Sequence, residues 1–201
     1  MASPVLNQEQ DVRILPKGDF PRKRLSSLAN RENWLLARVI AGDSSTPSEW
    51  IATTSDRSTF VHWISDPKID ITYILVTGAQ RDALARIVNG TFECYSLHET
   101  IADARAAEER VARTRAIYHL AILAPYEEEE GIVEIFRSYA VSADPEVRGA
   151  TVLAMSYVGW PSFRGILTPL SESDADPEVR EDAAILLRNM KAYPARSTVP
   201  T

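Results

Sequence analysis

Apolar positions along this chain follow two different periods, and the change between them divides it. In the second half, Thr151, Ala154, Met155 and Val158 follow Val147, while Ala183, Leu186, Leu187 and Met190 follow Val179. This i, i+4, i+7 spacing puts one apolar stripe on a helix, so both stretches are predicted helices. Phe163, Ile166, Leu167 and Leu170 repeat the pattern after a turn at Gly159 and Pro161, and Ile132, Ile135, Phe136 and Tyr139 repeat it earlier. The first half mixes periods. Leu28, Leu35, Leu36, Val39 and Ile40 fit a helical face between Ser26 and Gly42, with Gly42 as the C-cap. EWIATTS and STFVHWIS, joined through SDRS, predict a hairpin, and IDITYILVTG from Ile69 predicts a strand. AQRDALARIVNG predicts a helix ending at Gly90, and TFECY a further strand, an order that allows a right-handed parallel crossover.

The five residues DPEVR occur twice, starting at Asp144 and Asp176, 32 positions apart. In each copy the aspartate is placed to cap a helix, proline occupies the first turn where its missing N–H costs nothing, and a glutamate follows at the positive end of the dipole. An earlier, more divergent copy is found by aligning ERVARTRAIYHLAILAP with PEVRGATVLAMSYVGWP, which matches Val111 to Val147, Ile117 to Leu153 and Pro125 to Pro161. The unit is a helix, a turn and a helix. Self-similarity at such a period belongs to structures whose units bury their apolar stripes against near-copies of themselves.

These residues resemble the HEAT-repeat family, in particular short HEAT-like repeats that begin Asp-Pro, acid, Val-Arg. The resemblance covers residues 108–192, about two and a half units. It implies a short right-handed α-solenoid whose end units act as caps, and it implies that aspartate and arginine pair between neighbouring units, giving Arg148 and Arg180 a structural role. It carries no particular activity, because the scaffold serves many functions. The fold expected from sequence is therefore an α+β N-terminal domain followed by an all-α HEAT-like helical repeat array. The expected divisions are an N-terminal arm over 1–25, read as a tail or loosely packed lead-in, a small α+β domain over 26–95, the repeats over 96–194 and a tail over 195–201. Ser96-Leu97-His98-Glu99 has the form of a capping box, so the helical stretch is predicted to begin near Leu97.

Charge sharpens the picture. The 201-residue chain has a formal net charge of −6. Residues 96–192 carry 17 acidic against 10 basic side chains, a net of −7. A surface that holds phosphates must gather Lys and Arg, so the repeats are not expected to bind nucleic acid, and the short basic run Arg22, Lys23, Arg24 reads as a solvated arm. No apolar run is long enough to span a bilayer or to serve as the core of a signal peptide, and the lone Cys94 cannot form an intramolecular disulfide; a cytoplasmic protein is the expectation.

Candidate chemistry is sparse. His62, His98 and His119 have no convergent marking, and Cys94-x-x-x-His98 supplies half of a metal site at most. Ser44, Ser45 and Thr46 lack the glycine-lysine frame of a phosphate loop, VTGAQ has a single glycine, and there is no G-x-S-x-G elbow. No cofactor, metal or catalytic residue is predicted. The acidic run Glu127 to Glu130, with Tyr126, Glu134, Trp160 and Arg164, is the predicted rim of a surface for a protein partner with a basic face. Charge would steer the encounter and aromatics would supply contact energy. A non-enzymatic binding protein is the expectation, in its specific form an immunity protein or inhibitor that neutralises a toxin or nuclease. A scaffold or chaperone-type adaptor and an enzyme with a site between the two domains are the alternatives. Trp34, Trp50 and Trp63 are predicted core of the first domain.

Overall fold

A computed structural model of the chain describes residues 11–192, arranged as two compact units that divide between Ser96 and Leu97. The first ten residues of the expected arm and the tail over 195–201 lie outside the described residues.

The N-terminal unit is a five-stranded sheet in the order β1-β5-β4-β3-β2, built from β1 (Val12–Ile14), β2 (Leu35–Ile40), β3 (Ser48–Thr53), β4 (Thr59–Asp66) and β5 (Ile71–Gly78). Every pairing is antiparallel. Helices α1 (Arg22–Arg31) and α2 (Arg81–Thr91) supply Leu25, Leu28, Leu84 and Val88 to a core shared with Trp50, Ala52, Val61, Ile74 and Val76. Alternation along the strands makes this possible, because residues of one parity point to one face. Trp34 joins the same core, Trp63 packs at its margin, and the Trp63 indole N–H donates to the Phe20 carbonyl at 3.0 Å.

Several expectations are corrected here. The helix predicted from Ser26 to Gly42 is two elements, α1 and β2. Asn33 adopts a left-handed conformation with φ 56°, and the N–H groups of Glu32 and Trp34 close the helix end on the carbonyls of Leu28 and Ala29. Gly42 is no helix cap: it sits in the β2–β3 turn, where a Cβ would lie 2.3 Å from the Thr46 carbonyl oxygen. The parallel crossover is absent. TFECY forms only an isolated bridge, Cys94 to Pro16, flanked by hydrogen bonds from Lys17 N–H to the Glu93 carbonyl and from Tyr95 N–H to the Leu15 carbonyl. Nor are residues 11–25 a loose lead-in. Ile14, Leu15, Phe20 and Leu25 are all buried, and β1 forms an edge of the sheet. The hairpin predicted around SDRS is present as β3 and β4, and Gly78 closes β5 with φ 102°, where a Cβ would meet the Ser58 carbonyl at 2.2 Å.

The C-terminal unit is helical: α3 (Leu97–Ala106), α4 (Arg110–Leu123), α5 (Glu130–Ala140), α6 (Pro145–Val158), a 3-10 turn (Pro161–Phe163), α7 (Arg164–Ser173) and α8 (Pro177–Ala192). Both DPEVR motifs start helices as expected. The Asp144 carboxylate accepts from Glu146 N–H at 2.9 Å, and that of Asp176 accepts from Glu178 N–H at 2.9 Å. The core gathers Ile117, Leu120, Ile132, Phe136, Val152, Met155, Phe163 and Leu167.

The expected all-α repeat array in the form of a short right-handed α-solenoid is not what the structure presents. The fold is α+β, an antiparallel sheet with its helices followed by a small helical unit. Two completed helix pairs, α4/α5 and α6/α7, with single helices α3 and α8, are too few to develop a superhelix, and their spacing is unequal. Helix N-caps fall at Glu109 and Asp144, with the Asp176 carboxylate serving the same position in the third copy. The intervals are therefore 35 and 32 residues. The sequence alignment of the first copy is off by one position: Val111 is 68% exposed, while Ile117 and Leu120 occupy the buried places of Val152 and Met155.

With the N-caps superposed, Arg113, Arg148 and Arg180 each fall four residues after a cap. Arg148 donates through Nη1 to the carbonyls of Ser142 and Ala143 at 2.8 and 3.2 Å, and through Nε and Nη2 to both oxygens of Asp174 at 2.7 and 2.6 Å. Arg180 repeats the backbone contacts on Asp174 and Ala175 at 2.5 and 3.1 Å. Arg113 donates to the Ser142 hydroxyl at 3.2 Å and lies 4.5 Å over the Tyr139 ring. Arg148 thus makes the aspartate pair that the resemblance implies, whereas Arg180 holds only the backbone of the turn leading into α8.

Candidate functional site

The predicted site residues cluster around the turn between α4 and α5 and the turn between α6 and α7. Pro125 follows the end of α4, and the chain then runs through Tyr126 and three glutamates before α5 begins at Glu130. Tyr126 is 48% exposed and Glu127 to Glu130 are all exposed. The other turn is anchored from inside. Gly159 takes φ 74° and returns its N–H to the Met155 carbonyl, after which Trp160 folds into the core. Its ring centroid lies 5.6 Å from that of Phe163, which in turn lies 4.8 Å from Phe136.

Two hydrogen bonds join the turns. The Trp160 indole N–H donates to the Tyr126 carbonyl at 3.1 Å, and Ser162 N–H donates to a Glu128 carboxylate oxygen at 3.2 Å. The backbone carrying Tyr126 is thus held by a rigid aromatic anchor while its ring faces solvent. Trp160 is not a rim residue: at 3% exposure it is core, and its contribution is to position Tyr126. Sequence reasoning missed this because a tryptophan beside Gly and Pro in a turn reads as exposed.

Charge around the turns is uneven. Arg137 pairs with Glu134, and lies 3.7 Å from Glu130. The Glu134 hydrogen bond, ahead of any other influence, raises the Arg137 guanidinium above its ordinary range. Glu127 and Glu129 have no ion pair among the described residues, and Arg164, half-buried at the start of α7, has no salt bridge there either. The structure therefore brings Tyr126, Glu128 and Trp160 together, places Glu130 and Glu134 on one helix with Arg137, and leaves Arg164 out of the acidic group.

The remaining candidates are dispersed. His98 is exposed on α3, and among the described residues no group of three His, Cys, Asp or Glu side chains could hold a metal. The Cys94 Sγ–H donates to the Phe92 carbonyl at 3.4 Å, and burial pushes the thiol up to about 11, far from a reactive thiolate. Ser45 and Thr46 serve as donors to Asp43, closing the loop.

On the sheet face away from the helices, the His62 Nδ1 lies 3.4 Å from a Glu49 oxygen, in a neighbourhood that includes Arg13 and Asp11. Tyr73 stands on the same face by register, its phenol raised to about 12 by desolvation. This cluster was invisible in the sequence because its members come from β1, β3, β4 and β5. By register Thr53 and Thr77 stand on this face as well, both buried.

His119, on α4, is lowered to about 4, first by burial and second by Arg115, against the opposing influence of Asp103. A histidine held neutral in the folded state supports stability fully above its ordinary value of 6.5, and that support is lost as pH falls from there through about 4. Between pH 7 and pH 4.5 the chain is expected to lose on the order of 2 kcal/mol that a His119→Leu variant does not lose, measured by denaturant unfolding at each pH. Parallel curves for the two proteins would show that His119 does not titrate with folding.

No protein-family model, no characterised protein sequence and no solved structure matches the chain.

Proposed function

We propose that this chain is a non-enzymatic binding protein that engages a protein partner with a basic surface through the turn at Tyr126 to Glu130. The observation that carries the reading is the combination at that turn. An aromatic side chain that is 48% exposed is mounted on backbone locked by the buried Trp160, beside the exposed carboxylates of Glu127 and Glu129, which have no ion pair among the described residues. Such an arrangement loses little conformational entropy on binding, and aromatic anchors ringed by charge are the usual centre of an interface. The specific form of the proposal is an immunity protein or inhibitor that covers the phosphate-binding groove of a basic toxin or nuclease. An adaptor for another protein uses the same surface chemistry.

The test is retention of partners from lysate of the source cells by the wild type and by a variant with Glu127, Glu128, Glu129 and Glu130 all changed to glutamine. The glutamine at 128 keeps an oxygen for Ser162, so the turn stays folded. A partner held by the wild type should be released by raised salt and bound at least about tenfold more weakly by the variant. Relief of that partner's toxicity on co-expression would support the inhibitor form. Equal retention by both proteins removes the acidic turn from the reading and leaves the Glu49 and His62 face as the next surface to test for turnover.

A further inference from the structure

Among the described residues the last strand of the sheet, β2, has no partner on its outer edge, and it carries an unusual set of side chains. Leu35, Leu36 and Val39 are 48%, 60% and 54% exposed, which puts three large exposed apolar residues on a strand of six. An open apolar edge of this kind is a template for another strand.

The register identifies the strand it fits. Leu36 pairs with Ala52 and Val39 with Trp50, on the face that carries the helices; Leu35 pairs with Thr53, Arg38 with Ile51 and Ile40 with Glu49, on the other face. Residues 36 and 39 are three apart and would normally point to opposite faces. The irregularity between Leu36 and Arg38 brings them to the same one. An antiparallel edge pair related by a two-fold axis perpendicular to the sheet requires that partners share a face. With the axis at Ala37 and Arg38, Leu36 meets Val39 of the second copy, and Leu35 meets Ile40. The four large apolar residues then pair with one another, and Ala37 meets Arg38 at the axis. Because of the bulge, LLARVI is self-complementary.

We propose that β2 is a homotypic docking edge, through which two copies of this chain join their sheets into one of ten strands, independently of the acidic turn. Arg38 sets the strength of the contact. The two Arg38 side chains flank the axis on one face, so they repel, and the pairing is weak at low salt and tightens as salt screens them.

The test is sedimentation equilibrium over a range of concentrations and salt, on the full chain and on exposed-residue variants that leave the core intact. The wild type is expected to form a dimer that tightens with salt. Leu36→Lys and Val39→Lys should each weaken it at least about tenfold, and Arg38→Gln should tighten it about threefold. An equimolar mixture of L36C and V39C should form the disulfide between unlike chains in preference to like ones, since opposite residues in an antiparallel pair lie within disulfide reach. A wild type that stays monomeric at the highest concentration, a dimer indifferent to Leu36→Lys, or cross-linking without preference for unlike chains overturns the proposal.

Discussion

Asp174→Ala is expected to destabilise the helical unit by about 3 kcal/mol, because it leaves the Arg148 guanidinium buried without its counter-charge. The two side chains are only 10% and 4% exposed, and the carboxylate accepts two hydrogen bonds from one guanidinium. Arg148 has a second task, holding the carbonyls of Ser142 and Ala143 that lead into α6. The loss should therefore appear as a lower denaturation midpoint with an unchanged slope. The paired change Arg148→Met with Asp174→Leu should cost less than Asp174→Ala alone, because a hydrophobic replacement leaves no charge unpaired. Acid provides a second check. The Arg148 hydrogen bond holds the Asp174 carboxyl below its ordinary 3.8, so its contribution is complete above that value and disappears as pH falls below it. Equal stability of Asp174→Ala and wild type would mean that the pair contributes nothing net.

Trp160→Ala should have a comparable effect for a different reason. Removing the indole opens a cavity against Phe163, at a cost of about 3 to 5 kcal/mol. Trp160→Phe separates packing from the hydrogen bond. It retains most of the ring and loses the N–H that holds the Tyr126 carbonyl, so about 1 kcal/mol of stability is expected to go. The informative result is on binding. If the rigid mounting of Tyr126 matters, Trp160→Phe should weaken partner retention more than its small stability loss implies. A variant that binds as wild type does would assign Trp160 to the core alone.

What the sequence revealed depended on whether a signal was local. The starts of α6 and α8 were readable because Asp, Pro and Glu act within one helical turn. The hairpin of β3 and β4 was readable from alternation alone. The region over 26–42 is ambiguous in sequence because Leu35, Leu36, Val39 and Ile40 suit a buried helical face, whereas three of them are exposed on an edge strand. The stop signal is Asn33, whose left-handed conformation ends α1, and a single asparagine is a weaker mark in sequence than Gly42. At the candidate site, exposure of the glutamates followed from their charge, whereas the burial of Trp160 depended on Phe136 and Phe163 from other helices. The Arg113 position was hidden by a one-residue error that only the helix cap at Glu109 reveals.

The order of strands also bears on how the sheet is made. Strands β2 to β5 are neighbours in sequence and in space, each reached through a short connection, so they zip together with little loop to close. Strand β1 is the exception: Ile14 must find Ile74, 60 residues further along the chain. Its pairing carries a larger entropic penalty and is of use only once β5 is in place. In a refolding experiment, amides of β3 and β4 should gain protection before those of β1, and a nascent chain would keep its first strand waiting until residue 78 had left the ribosome.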